Sequence, residues 1–223
     1  MEENEGKSKI PVKPIVAGLF ILVAVSVLAY AGYVYHRNTQ RDEALAFAKS
    51  IIDLWGRFDT GSGTPDPHNS WEDSFDTAMK IERGCSIKLD SRYSQRSPDT
   101  NHPNSYLSIW AVQDQTCHLN LGELSASEVR LEKVESEKFP LPDNPLFVPG
   151  DSVSEGYPYW ILVLSGKRRD VTVVKCEVHN DSHRSEADSY GIGIPIHEED
   201  SANRAANAFK VAIRLCGGKD EPF

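Results

Sequence analysis

The stretch "PIVAGLFILVAVSVLAYAGYVYHRNTQRDEALAFAKSIIDLWGRF", Pro14 to Phe58, decides how this chain is organised. Its first part, residues 14–35, carries no charge and no interior proline. At about 1.5 Å per helical residue, such a run crosses a hydrocarbon core of about 30 Å. Tyr30, Tyr33 and Tyr35 cluster at its end, where amphipathic rings favour a membrane interface. The second part changes period. Ala44, Ala48, Ile51, Trp55 and Phe58 recur at spacings of four, three, four and three, which makes one helical stripe. Nothing between Tyr35 and Ala44 breaks a helix, so a transmembrane helix over 14–35 is expected to continue as a helical stalk over 36–58. The stripe is expected to pack on the protein's own body, with a helix-mediated oligomer through the same five residues as the alternative.

A cleaved signal peptide is the rival reading of the apolar run. Ala29-Tyr30-Ala31 fits a cleavage pattern, and a cut near Ala31 would yield a secreted protein. The anchor is preferred because the apolar run passes the cut and a helical pattern follows without a break. Positive charges flank the span on both sides, so they do not orient it. The cysteines do. Cys85, Cys117, Cys176 and Cys216 all follow the span and form no C-x-x-C pair. An even, dispersed set suits two disulfides in an oxidising compartment rather than four buried thiols. The expected arrangement is a single-pass protein of a bacterial inner membrane, with a cytoplasmic tail at 1–13 and a periplasmic body.

The chain has 223 residues, 39% of them hydrophobic, and a formal net charge of −9. Lys7, Lys9 and Lys13 cancel Glu2, Glu3 and Glu5, so the acidic excess belongs to the body. Nucleic acid, which needs clustered Lys and Arg, is excluded as a partner. Docking on an anionic membrane surface is disfavoured for the same reason.

Residues 59–69 are rich in Gly, Pro, Ser, Thr and Asp and read as a linker. The body is expected over 70–218, with a short tail at 219–223. It opens with "SWEDSFDTAMKIER", read as a short helix capped by Ser70, with Trp71, Phe75 and Met79 on one face. Strands are expected at "CSIKLDSRY", "YLSIWAV", "TCHLNLGEL", "EVRLEKVE", "YWILVLS", "VTVVKCEV" and "YGIGIPI". Residues 136–158 hold five prolines and form a loop. Gly166 to Asp170 reads as the turn of a hairpin, and a polar loop precedes Tyr190. The chain closes on an amphipathic helix in which Ala202, Ala205, Ala206, Phe209, Ile213 and Cys216 share a stripe, stopped by Gly217-Gly218. Cys216 and Cys176 both face inward, which pairs them and leaves Cys85 with Cys117.

The sum is an α+β body, an antiparallel sheet of six or seven strands closed by a C-terminal helix. This arrangement resembles PH-like domains, and "ANAFKVAIRLCGG" resembles the closing helix of some exported bacterial proteins with such a body. The resemblance implies a binding or assembly module and transfers no functional residue. The layout of charged leader, Gly18, apolar helix and disulfide-bearing β-domain also resembles type IV pilins. It departs from them at Val23, where the resemblance calls for a glutamate.

Candidate chemistry is thin. Asp59-Thr60-Gly61-Ser62 spells the start of an aspartic-protease loop. It follows a helix rather than a buried strand, and no second such triplet supplies the other half of a proton-sharing pair. Cys176, His179 and His183 have half of a zinc spacing, the basis of a metal-dependent hydrolase as a third alternative. Tyr190-Gly191-Ile192-Gly193 lacks the third glycine of a dinucleotide loop. Lys167-Arg168-Arg169 reads as a solvated turn, and Asn180-Asp181-Ser182 is a glycosylation sequon. The expectation is a non-enzymatic protein with no catalytic, cofactor or metal residue.

Overall fold

The computed structural model describes residues 12–61, 72–98, 106–134, 159–168, 171–180 and 183–218. The chain divides into two units, Met1–Thr39 and Gln40–Phe223. Helix α1 runs Val12–Trp55. In the first unit, Leu22, Val23, Val25, Val27, Leu28, Tyr30, Tyr33 and Tyr35 are all exposed. The Ser26 hydroxyl donates to the Leu22 carbonyl, and the Thr39 hydroxyl to that of Tyr35. The expected span at 14–35 falls partly on side chains outside the described set. Among the described residues, no helix is long and apolar enough to cross a membrane.

In the second unit, α1 is part of the body rather than a free stalk. Leu45, Ala48, Ile51 and Ile52 are buried, with Ala44 and Trp55 packed beside them. The stripe read from sequence is centred slightly to one side, because Leu45 and Ile52 carry its middle. An oligomer formed through Ala48 and Ile51 would have to uncover core residues. The helix stops at Gly56, whose N–H donates to the Ile52 carbonyl at 2.8 Å. A Cβ here would sit 2.6 Å from that same oxygen, so glycine is what allows the chain to turn directly into a strand.

That strand corrects the linker reading at its start. Strand β1 (Arg57–Gly61) pairs antiparallel with β2 (Glu72–Ile81), Arg57 opposite Asp76 and Asp59 opposite Ser74. The Arg57 guanidinium bonds the Asp76 carboxylate at 2.5 Å, and this hydrogen bond and charge raise the Arg57 pKa. Residues 62–69 of the expected linker lie outside the described residues.

Strand β2 also replaces the short helix expected over this segment. Phe75 and Met79, four apart, fit a helical face and a strand face equally well, since four is a multiple of two. Thr77 decides. Phe75, Thr77 and Met79 are all buried, and β2 is hydrogen-bonded on both sides.

Among the described residues nine strands form two antiparallel sheets, not one sheet of six or seven. The larger has the order β1-β2-β3-β4-β7-β8 and the smaller β5-β6-β9. Strands β3 (Ser86–Pro98) and β4 (Tyr106–Asn120) are long neighbours, so two stretches read as separate strands are one. Strands β5 (Arg130–Val134), β6 (Tyr159–Ser165) and β9 (Gly191–Ile196) make the smaller sheet. Strands β7 (Val174–Asn180) and β8 (His183–Ser189) extend the larger one. The hairpin expected across Gly166 to Asp170 is therefore a crossover between sheets. The Gly166 N–H donates to the Tyr190 carbonyl, not to a β7 partner. The polar loop expected before Tyr190 is largely β8, held by its backbone ladder to β7. The proline-rich segment 136–158 is outside the described residues.

The closing helix α2 (Glu199–Leu215) forms as expected. Ala202, Ala205, Ala206, Phe209, Ala212 and Ile213 are buried on it. Its cap is Glu198 rather than Asp200 or Ser201, and the Ser201 hydroxyl donates back to the Glu198 carboxylate. Gly217 ends it at φ +81°, a left-handed position suited to glycine. All of β9 and nearly all of β6 are buried. Strands β6 and β9 are thus covered on both faces, and α2 packs on this sheet. One core joins α1 from Leu45 to Ile52, the inner faces of both sheets and α2.

All four cysteines are in disulfides, as expected, but with the other pairing: Cys85–Cys216 and Cys117–Cys176. Strand register explains the second. Cys117 and Cys176 stand directly opposite on β4 and β7, with Cα atoms 4.1 Å apart, and inward-facing opposed pairs approach most closely where no ladder bonds intervene. Cys216 lies at the C-terminal cap of α2, beyond the sheet stripe, and reaches Cys85 just ahead of β3. Two disulfides point to an oxidising compartment outside the cytoplasm.

Candidate functional site

The sequence-level candidates do not converge. Asp59 is on strand β1, opposite Ser74 of β2. Cys176 is buried in a disulfide. Three residues on along β7, His179 is on the opposite strand face and exposed, because side chains alternate. Its Nε2 lies 3.9 Å from the Glu177 carboxylate on that outer face. The C-x2-H spacing is therefore split across the sheet. The side chain of His183 lies outside the described residues. No group of three metal-binding side chains occurs among the described residues. Tyr190-Gly191-Ile192-Gly193 runs into β9, with Ile192, Ile194 and Ile196 buried. Lys167 and Arg168 are exposed, and Asn180 closes β7.

A polar cluster occupies the outer face of β3 and β4. Lys88 bonds Asp90, and the Thr116 hydroxyl donates to the same carboxylate at 2.7 Å. Desolvation pushes the Asp90 carboxyl up. The hydrogen bonds from Lys88 and Thr116 and the charges of Lys88 and His118 outweigh it and hold the group below its ordinary value. The cluster is exposed and held by neighbouring side chains, which suits a solvated strand face.

The feature that ordinary packing does not explain is a groove between α1 and α2. Gln40, Glu43, Ala44 and Phe47 line one side. Arg204, Asn207, Ala208, Val211, Arg214 and Leu215 line the other, around a volume of about 690 Å³. Each wall is a helical stripe one step round from the buried stripe of the same helix. Ala44 and Ala208 are short, which keeps the cleft open. Phe47 and Val211 are 40% and 43% exposed, large apolar groups left facing solvent. The Arg204 guanidinium carbon lies 5.1 Å from the centroid of the Phe47 ring, a cation–π distance. Neither Glu43 nor Arg204 has an ion-pair partner among the described residues.

The groove offers no nucleophile with an adjacent base. Its chemistry is burial of an apolar stripe with charge pairing at the rim. Sequence reading missed it because Phe47 and Val211 lie off the core stripes of their helices. The spacing of Arg204, Ala208, Val211 and Leu215 is a second stripe on α2. Its meaning appears only when α1 is known to lie beside it. No known family, curated protein or solved structure matches this chain.

Proposed function

We propose that this protein is a single-pass, membrane-anchored binding or assembly module whose body works outside the cytoplasm of a bacterial envelope, and that the groove between α1 and α2 receives its partner. The carrying observation is the groove itself: an apolar cleft of about 690 Å³ between two helices. Laying an amphipathic helix into such a groove is a recurrent mode of recognition. The anchor reading is supported by the exposed apolar side chains of Leu22, Val23, Val25, Val27 and Leu28 on α1, among which the Ser26 hydroxyl bonds back to the helix. A helix of that kind belongs in a protein core or a bilayer. The PH-like resemblance adds only that such scaffolds serve as binding modules.

The groove is tested with a photo-crosslinking residue at Val211 in the full chain in its native membrane. An adduct is expected from Val211 and none from Lys88 on the outer sheet face. Ala44→Trp, which fills the cleft, should abolish it. Absence of any Val211 adduct overturns the groove as a binding site. The compartment is tested by thiol counting on unreduced protein: none is expected to react, and four reactive thiols would overturn it.

A second reading, a pilin-like subunit, is favoured by one observation. Helix α1 is continuous from Val12 to Trp55 and its C-terminal part belongs to a disulfide-bearing β-body. N-terminal sequencing of mature protein separates the cases. A start near Met1 supports the anchor, Leu19 a pilin, and Gly32 a cleaved signal peptide.

A further inference from the structure

The geometry points to a second copy of this chain as the occupant of the groove, in a two-fold dimer in which Glu43 of each copy pairs with Arg204 of the other. This rests on reading the groove as the binding surface. The argument begins with the charges. The two walls carry opposite signs, Glu43 on α1 and Arg204 on α2, and neither charge forms an ion pair among the described residues. Asp42, the neighbouring acid, is already paired with Arg41. A surface with an unpaired acid on one wall and an unpaired base on the other is complementary to itself. A two-fold axis makes every contact occur twice, so both Glu43–Arg204 pairs form together.

The apolar pattern agrees. Phe47 on the groove wall and Leu54, seven residues further along α1, lie on one side of the helix. They are 40% and 67% exposed. This outward ridge is what an α1 from a second copy would insert against Ala208 and Val211. The net charge of −9 disfavours random contact between copies. It therefore favours a face where each copy brings a matching positive group. An acidic amphipathic helix from another protein would satisfy Arg204 but leave Glu43 facing a like charge.

The test uses the full chain, co-expressed with two different tags and extracted from native membranes in mild detergent. Wild-type copies should co-purify through either tag. Glu43→Arg places two bases at the contact and Arg204→Glu two acids, so each variant alone should lose about ten-fold in co-purification. Mixing the two variants restores opposite charges at both contacts, and co-purification should return to near the wild-type level. Misfolded chains could not rescue one another, so recovery excludes a folding defect. The proposal is overturned if wild-type copies do not co-purify, if the single variants co-purify normally, or if the mixture fails to recover. A Val211 crosslink to another protein, lost in Arg204→Glu, without co-purification of tags, overturns the self-pairing and leaves the groove as a binding site. No Val211 adduct at all removes both.

Discussion

The two disulfides sit in opposite kinds of place. Cys117–Cys176 lies inside the core, 0% and 3% exposed, between residues that the β4–β7 ladder already holds face to face. Cys85–Cys216 is half-buried and joins the start of β3 to the end of α2, across 131 residues. Arg41 of α1 approaches its sulfur at 3.9 Å. The first bond repeats a neighbourhood that backbone pairing has already chosen. The second makes one that no ladder provides, tying the closing helix, the larger sheet and α1 at one point. That helix is also one wall of the groove, so the outer disulfide is the one that anchors a groove wall.

Removing the outer bond is the most severe way to test this comparison. Cys85→Ala with Cys216→Ala should lower unfolding free energy by roughly 3–5 kcal/mol, because the cross-link closes the longer loop. Urea unfolding followed by tryptophan fluorescence reads it. The inner pair, Cys117→Ala with Cys176→Ala, spans 59 residues and should cost somewhat less, roughly 2–4 kcal/mol. If the inner pair costs more, packing of its buried sulfurs outweighs loop closure. Under limiting dithiothreitol, alkylated Cys85 and Cys216 should appear before Cys117 and Cys176, since the core shields the inner bond.

Gly217→Ala probes the same helix end more gently. It forces a side chain into a left-handed position next to Cys216 and should cost about 1 kcal/mol, while both disulfides still form. The smallest effect belongs to the outer face of the sheet near the inner bond. The folded Asp90 carboxyl is held below its ordinary 3.8. Its contribution is therefore present above that pH and is lost as pH falls through the folded value. Asp90→Asn should cost less than about 1 kcal/mol at pH 6, since the group is exposed. The difference from wild type should close as pH falls below about 4.

The cysteines also mark where sequence reading stopped. Cys176 and Cys216 both point inward, as their stripes said, but so does Cys117. Facing inward does not choose among three inward cysteines. Register chose Cys117 for Cys176, and the terminal position of Cys216 on α2 carried it past the sheet to Cys85. The same limit explains β2. Phe75 and Met79 obey both periods, and only pairing with β1 and β3 selects the strand. It explains β8 too, a polar segment with no apolar signal, ordered by its ladder with β7. The α1 and α2 core stripes were legible because each is a local period of one helix. The groove was not, because it is made by two stripes about 160 residues apart in the chain.

Sequence alone determined what depends on neighbours along the chain: two helices and their buried faces, most strand segments, the acidic body, and cysteines suited to disulfides. Tertiary structure decided what depends on neighbours across space. It split the strands between two sheets, turned an expected hairpin into a crossover, paired the cysteines, and set α1 beside α2. The physical reason is common to all four. Periodicity says which face of an element is apolar, but not which other element covers that face. That choice is made by strand register and core packing, which bring distant residues together only once the chain has folded.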